Sequence, residues 1–149
     1  MKFIGLLIVV VITLFIARLV FQNLSTPTHL GHKNGQLAAM PDKPNAVSSQ
    51  TDIVDKHVEP LAYKGSTEET INSVLAAFNE MGSNEIQTQE SHYIYSVFTT
   101  GNLHFHDDVE VLLDEQTKQV HFRSQSRAGH SDLGLNRARY EEFKALYNK

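Results

Sequence analysis

The chain opens on its longest apolar stretch. Phe3 to Ala17 is apolar except for Gly5 and Thr13, and after Arg18 the run resumes through Phe21. A helix needs roughly 20 residues to cross a bilayer, and Phe3 to Phe21 reaches that length if Arg18 snorkels toward the headgroups. The small-x-small pattern of a cleaved leader is absent after the run, where ARLVFQN stands. Residues 1–22 therefore read as an uncleaved signal anchor, a single transmembrane helix, with cleavage and secretion as the alternative. Residues 23–55 lack apolar periodicity and hold Pro27, Pro41 and Pro44, three of the four prolines. They read as a tether that lets the rest of the chain stand off the membrane.

Periodicity returns in residues 56–149. EPLAY reads as a short edge strand because Pro60 lacks an N–H for a ladder. Ser66 and Glu69 form an S-x-x-E capping box, followed by an apolar stripe of Ile71, Val74, Leu75, Phe78 and Met81 that a helix would put on one face. A polar strand around Ile86 and a stronger one over His92–Thr100 follow, the latter with Ile94 and Phe98 on one face and Tyr93, Tyr95 and Val97 on the other. With EQTK as a four-residue turn, Leu113 faces Val120, Val111 faces Phe122 and Val109 faces Ser124, so the apolar residues share a side. The same register sets Glu110 against Arg123 on the opposite side. Asn136 or a neighbour caps a last helix whose apolar contacts are expected from Tyr140, Phe143, Ala145, Leu146 and Tyr147. The expected fold class is α+β: two layers, an antiparallel sheet of four to five strands with two helices on one face, preceded by the N-terminal transmembrane helix.

Charge and composition narrow the function. Beyond the anchor, 11 basic and 17 acidic residues leave a net charge of −6, which argues against nucleic acid as a partner. With no cysteine there is no disulfide, thiol nucleophile or cysteine-based zinc site. No phosphate-binding glycine loop, G-x-S-x-G or H-E-x-x-H is present, so neither a cofactor nor a catalytic residue is expected. His104 and His106 have H-x-H spacing, but the register puts His121 roughly 20 Å away by strand rise, and no metal site is expected. The face bearing His104, His106, Asp108, Glu110, His121, Arg123 and Arg127 is expected to be solvated.

The dense polar block lies between Asp107 and Arg139. Asp107, Ser124 and Ser126 should point inward at the end of the apolar layer, where a carboxylate requires a partner. Arg137 and Arg139, on the helix that packs over the sheet, are the nearest cations. Two readings stay open: a buried ion pair that fixes the helix on the sheet, or a pocket whose guanidiniums recognise a carboxylate or phosphate. Asp107 and Asp108 are adjacent in a strand and face opposite sides, so they do not form a catalytic carboxylate pair. In the loop RAGHSDLGLNR, Ser131 and Asp132 can bind backbone N–H groups, and the following helix N-terminus is a natural anion site.

Four segments resemble the domain of unknown function 1499 family: PNAVSSQ at Pro44–Gln50, PLAY at Pro60–Tyr63, FHDDVEVLLD at Phe105–Asp114, and RSQSRAGHSDLGLNRARYEEF at Arg123–Phe143. The resemblance covers roughly residues 41–147. It marks Asp107, Asp108, Arg123, Ser124, Ser126, Arg127, Ser131, Asp132, Asn136 and Arg137 as the positions to follow, and it implies a membrane-linked or exported, often bacterial protein. Many members are similar to P-N-C-V-S-S at the first segment, where this chain has Ala46, so no thiol role carries over. It also raises the prospect that PNAVSS folds back onto the domain.

The resulting expectation is a protein of the bacterial inner membrane, single-pass, with the bulk of the chain periplasmic. It would be a non-enzymatic module binding a small anionic ligand or a protein partner. The alternatives are a hydrolase or transferase of envelope material and an assembly factor for a membrane complex.

Overall fold

The computed structural model describes residues 2–101 and 103–149. Its first element, α1 (Lys2–Leu24), is a helix long and apolar enough to cross a membrane. The 22 residues from Phe3 to Leu24 extend about 33 Å at the helical rise, against a hydrocarbon layer of about 30 Å.

Two short strands follow, β1 (His32–Lys33) and β2 (Gln36–Leu37), paired as a hairpin. Its turn is Asn34-Gly35, both at positive φ (53° and 74°), the conformation that favours this dipeptide in tight hairpins. Next come β3 (Ala46–Ser48), a single 3-10 turn at Val54–Lys56, and β4 (Leu61–Ala62). The helix α2 (Thr67–Met81) starts at the expected capping box, with both reciprocal bonds between Ser66 and Glu69 formed, and stops at Gly82. The strands β5 (Asn84–Gln89), β6 (Tyr93–Thr99), β7 (His106–Asp114) and β8 (Gln119–Ser126) precede α3 (Leu135–Tyr147).

The main sheet has six antiparallel strands in the order β3-β8-β7-β6-β5, with β4 also on β8. The β7–β8 register pairs Leu113 with Val120, Val111 with Phe122, Val109 with Ser124 and Glu110 with Arg123, as the alternation predicts. α2 and α3 cover one face, closing a core of Val74, Phe78, Ile94, Phe98, Val111, Phe122, Tyr140 and Phe143. Phe122 stacks on Phe143 at 5.1 Å between ring centroids. The fold class is therefore α+β, with one strand more than the upper expectation.

That extra strand corrects the tether. Ala46 and Val47 are buried and pair with Gln125 and Ser124, so the ordered domain begins well before residue 56. A three-residue strand carries too little alternation to be seen locally; it is held by its neighbour instead.

The second correction concerns the other face of the sheet, which is not solvated. Asp108, Glu110 and Arg123 are each wholly buried. The chain leaving α1 returns across them: Leu30 and Leu37 pack with Tyr93, Tyr95 and Leu112 in a small second core. His32 lies against the Tyr93 ring at 5.1 Å.

Candidate functional site

Three carboxylate–arginine pairs are buried in the sheet, divided between its faces by the alternation of β7. On the outer face the Arg123 guanidinium donates to Glu110 Oε2 at 2.8 Å. Glu110 Oε1 accepts from the Tyr93 hydroxyl and from the Gly31 backbone N–H, both at 2.7 Å. Two residues along, Arg127 grips Asp108, with Nη2 donating to Oδ1 at 2.7 Å and Nε at 3.0 Å from both oxygens. The Tyr95 hydroxyl adds a 2.6 Å bond to Asp108 Oδ1. Each tyrosine reaches the carboxylate diagonal to its cross-strand partner, since Tyr93 lies opposite Leu112 and Tyr95 opposite Glu110. Burial, reinforced by these acids, raises both phenol pKa values, which keeps the hydroxyls as donors. Every carboxylate oxygen on this face has a donor.

The helix-facing side differs. Asp107, 1% exposed, receives Arg139 Nη2 on Oδ2 at 2.5 Å. Arg139 Nη1 also donates to Asn136 Oδ1 at 2.8 Å and to Ser124 Oγ at 3.2 Å, and the guanidinium lies 5.2 Å from the centre of the Phe98 ring. Asn136 is the hub of the cluster. Its amide donates to Asn45 O (2.9 Å), Ser126 Oγ (3.0 Å) and Asp132 Oδ2 (2.7 Å), while its Oδ1 also accepts the Ser124 hydroxyl. Asp107 Oδ1 stands apart: it is buried and has no hydrogen-bond partner among the described residues.

The open arginine choice is resolved by helix phase. Residues 137 and 139 are about 200° apart around a helix, so only one can face the sheet. Arg139 does, together with Asn136 and Tyr140. Arg137 points elsewhere and donates to the Asp55 and His57 carbonyls at 3.0 Å each, tying down the 3-10 turn.

The N-terminus of α3 also departs from expectation. Asn136 lies within its first turn, and the preceding Gly134 adopts the left-handed conformation (φ 86°). Asp132 supplies the anion itself, accepting Gly134 N at 3.1 Å and Asn136 N at 2.8 Å, while Ser131 Oγ accepts from Leu133 N. Arg123, Arg127 and Arg139 are thus on carboxylates and this helix end is capped by Asp132, whereas Arg137 meets only backbone carbonyls.

Asp107 borders a cleft of about 480 Å³ at the open end of the hairpin. Its walls come from the β6–β7 loop (Thr100, Gly101, Leu103, Phe105), the β8–α3 loop (Ala128, Gly129, Ser131–Leu133), Ser126, Leu135 and Leu19 of α1. That volume falls within the range of small-molecule sites, about 300–1,000 Å³. α1 is pinned beside it: the Asn23 side chain donates to His104 O at 2.9 Å and accepts from His106 N at 2.7 Å.

Several participants escape a reading of the sequence, namely Asn23, Gly31, Asn45 and the two tyrosines. A serine–histidine contact also emerges, Ser49 Oγ to His121 Nδ1 at 3.2 Å. It is buried, and Ser49 Oγ already accepts the Phe122 N–H at 3.0 Å. The three histidines weighed as metal ligands are not gathered, because His121 lies opposite Leu112 while His106 starts β7.

The model of a family described as a protein of unknown function (DUF1499) matches residues 36–146. The chain belongs to this family. Its matched region runs from β2 into α3, so it takes in all three buried pairs and the loops of the cleft. The DUF1499 region excludes α1 and β1. No curated protein and no solved structure matches the chain.

Proposed function

We propose that this is a non-enzymatic binding module, anchored by α1 in a bacterial inner membrane with its domain on the periplasmic side, that holds a small ligand in the cleft beside Asp107. The observation that carries this reading is the unpartnered Asp107 Oδ1. Leaving a buried carboxylate oxygen without a donor costs about 1–3 kcal/mol or more, and a ligand donor recovers it. The ligand it suits brings a hydroxyl or an amine, in place of the anion first expected.

Periplasmic placement is supported by the absence of cysteine, which suits an oxidising compartment. Binding is preferred over catalysis because the cleft hydroxyls of Thr100, Ser126 and Ser131 accept from Phe105 N, Asn136 and Leu133 N. None of them hydrogen-bonds to a histidine or carboxylate among the described residues, so none is set up as a nucleophile.

Native mass spectrometry of the full chain released from detergent tests the proposal. A non-covalent small-molecule adduct is expected on the wild type and not on Ala128→Trp, which fills the cleft. A wild-type chain of bare protein mass, or an adduct that survives in the tryptophan variant, overturns it.

A further inference from the structure

The cleft shares a wall with the helix that is long enough to cross the bilayer. Leu19 lies five residues before the end of α1, about 7.5 Å along its axis. If Phe3–Leu24 spans the membrane, Leu19 sits at the outer edge of the hydrocarbon, and the loops that join it in lining the cleft sit at that depth too. Those loops present apolar side chains outward: Leu103 is 73% exposed and Leu133 96% exposed. Leu133 is also held at φ 54°, a left-handed conformation that costs a non-glycine residue about 1–2 kcal/mol. That conformation carries the turn in which Ser131 accepts Leu133 N and Asp132 caps α3, and it leaves the leucine side chain in the open. In lipid the same side chain is buried.

Charge in the cleft restricts what enters. Among the described residues its walls hold Asp107 and Asp132 and no lysine, arginine or histidine. Asp132 is saturated by its backbone and Asn136 bonds, whereas Asp107 keeps one buried oxygen free. Resting on the binding function argued above, we infer that the cleft opens into the bilayer and takes the headgroup of an amine-headed lipid. The ammonium meets Asp107 Oδ1, and Leu103, Leu133 and Leu135 flank the exit to the acyl chains.

The chain has no tryptophan, so single-tryptophan variants report depth directly. The full chain carrying Leu103→Trp, Leu133→Trp or, as control, Gln116→Trp in the distant β7–β8 turn is reconstituted into liposomes containing brominated phosphatidylcholine. Quenching of the first two by at least twofold, with the control unquenched, is expected; three equal, unquenched signals overturn the inference. In a second arm the wild type is recovered from nanodiscs of phosphatidylethanolamine mixed with phosphatidylglycerol, and retained molecules are identified by native mass spectrometry. Retention of phosphatidylethanolamine supports the assignment, while retention of phosphatidylglycerol alone overturns the headgroup. A water-soluble adduct without quenching overturns the lipid source and leaves the binding function standing.

Discussion

The two faces of the sheet carry the same chemistry and finish it differently. Under the returning N-terminal strap, Asp108 and Glu110 have every oxygen engaged by arginine, tyrosine or backbone donors. Under α3, Asp107 has one oxygen on Arg139 and the other buried without a partner, in a residue that borders a cleft. A buried carboxylate with both oxygens engaged is an internal fastener, whereas one with an oxygen left over at the edge of a cleft is a place for something else, even though Arg123 Nε on the outer face also lacks a partner among the described residues. The choice between lock and pocket thus has a different answer on each face, and Asp107 takes part in both.

The largest expected effect comes from stranding a charge on the outer face. Glu110→Ala leaves Arg123 buried without its counter-ion and should lower stability by about 3–5 kcal/mol in denaturant titration of the full chain. The comparison sharpens with a matched pair of amides. Asp108→Asn turns a donor against Arg127 or Tyr95 because no oxygen is spare, and a loss of about 2 kcal/mol is expected. Asp107→Asn can keep its oxygen on Arg139 and aim its amide into the cleft, so a loss nearer 1 kcal/mol is expected, together with loss of the bound adduct. Equal costs for the two amides would erase the distinction between the faces.

Smaller still is Arg137→Ala, which releases two carbonyls of the 3-10 turn and should cost about 0.5 kcal/mol without affecting ligand retention. The last effect is a pH slope. Burial lowers the His121 pKa below its ordinary 6.5, with Asp114 opposing in part. The unfolded chain then binds the proton first, so this contribution is complete above pH 6.5 and is lost as pH falls toward the folded value. A melting series from pH 7.5 to about 5 should therefore be steeper for the wild type than for His121→Asn.

Much of the helix-facing side was legible in the chain. Period-two alternation around EQTK placed each residue of β7 and β8, and with them the inward turn of Asp107, Ser124 and Ser126. Helix phase, applied to Asn136, Arg137 and Arg139, would also have chosen between the arginines. The outer face was not legible because polar alternation in a strand reads as solvent exposure whether or not something covers it. Its cover comes from a segment about 80 residues away in sequence, with Leu30 and Leu37 as its apolar contacts among the described residues. Asn34-Gly35 was its one local signal. The cleft was invisible for a related reason: its walls are loops and a helix that only the fold brings to Asp107.

A crystal structure of the full chain grown from a lipid phase would show what lies within hydrogen-bond distance of Asp107 Oδ1. A non-protein donor is expected there, with the rest of that molecule running out between Leu103 and Leu133. A side chain or backbone N–H of the protein closing on that oxygen, with the cleft collapsed, would contradict that expectation.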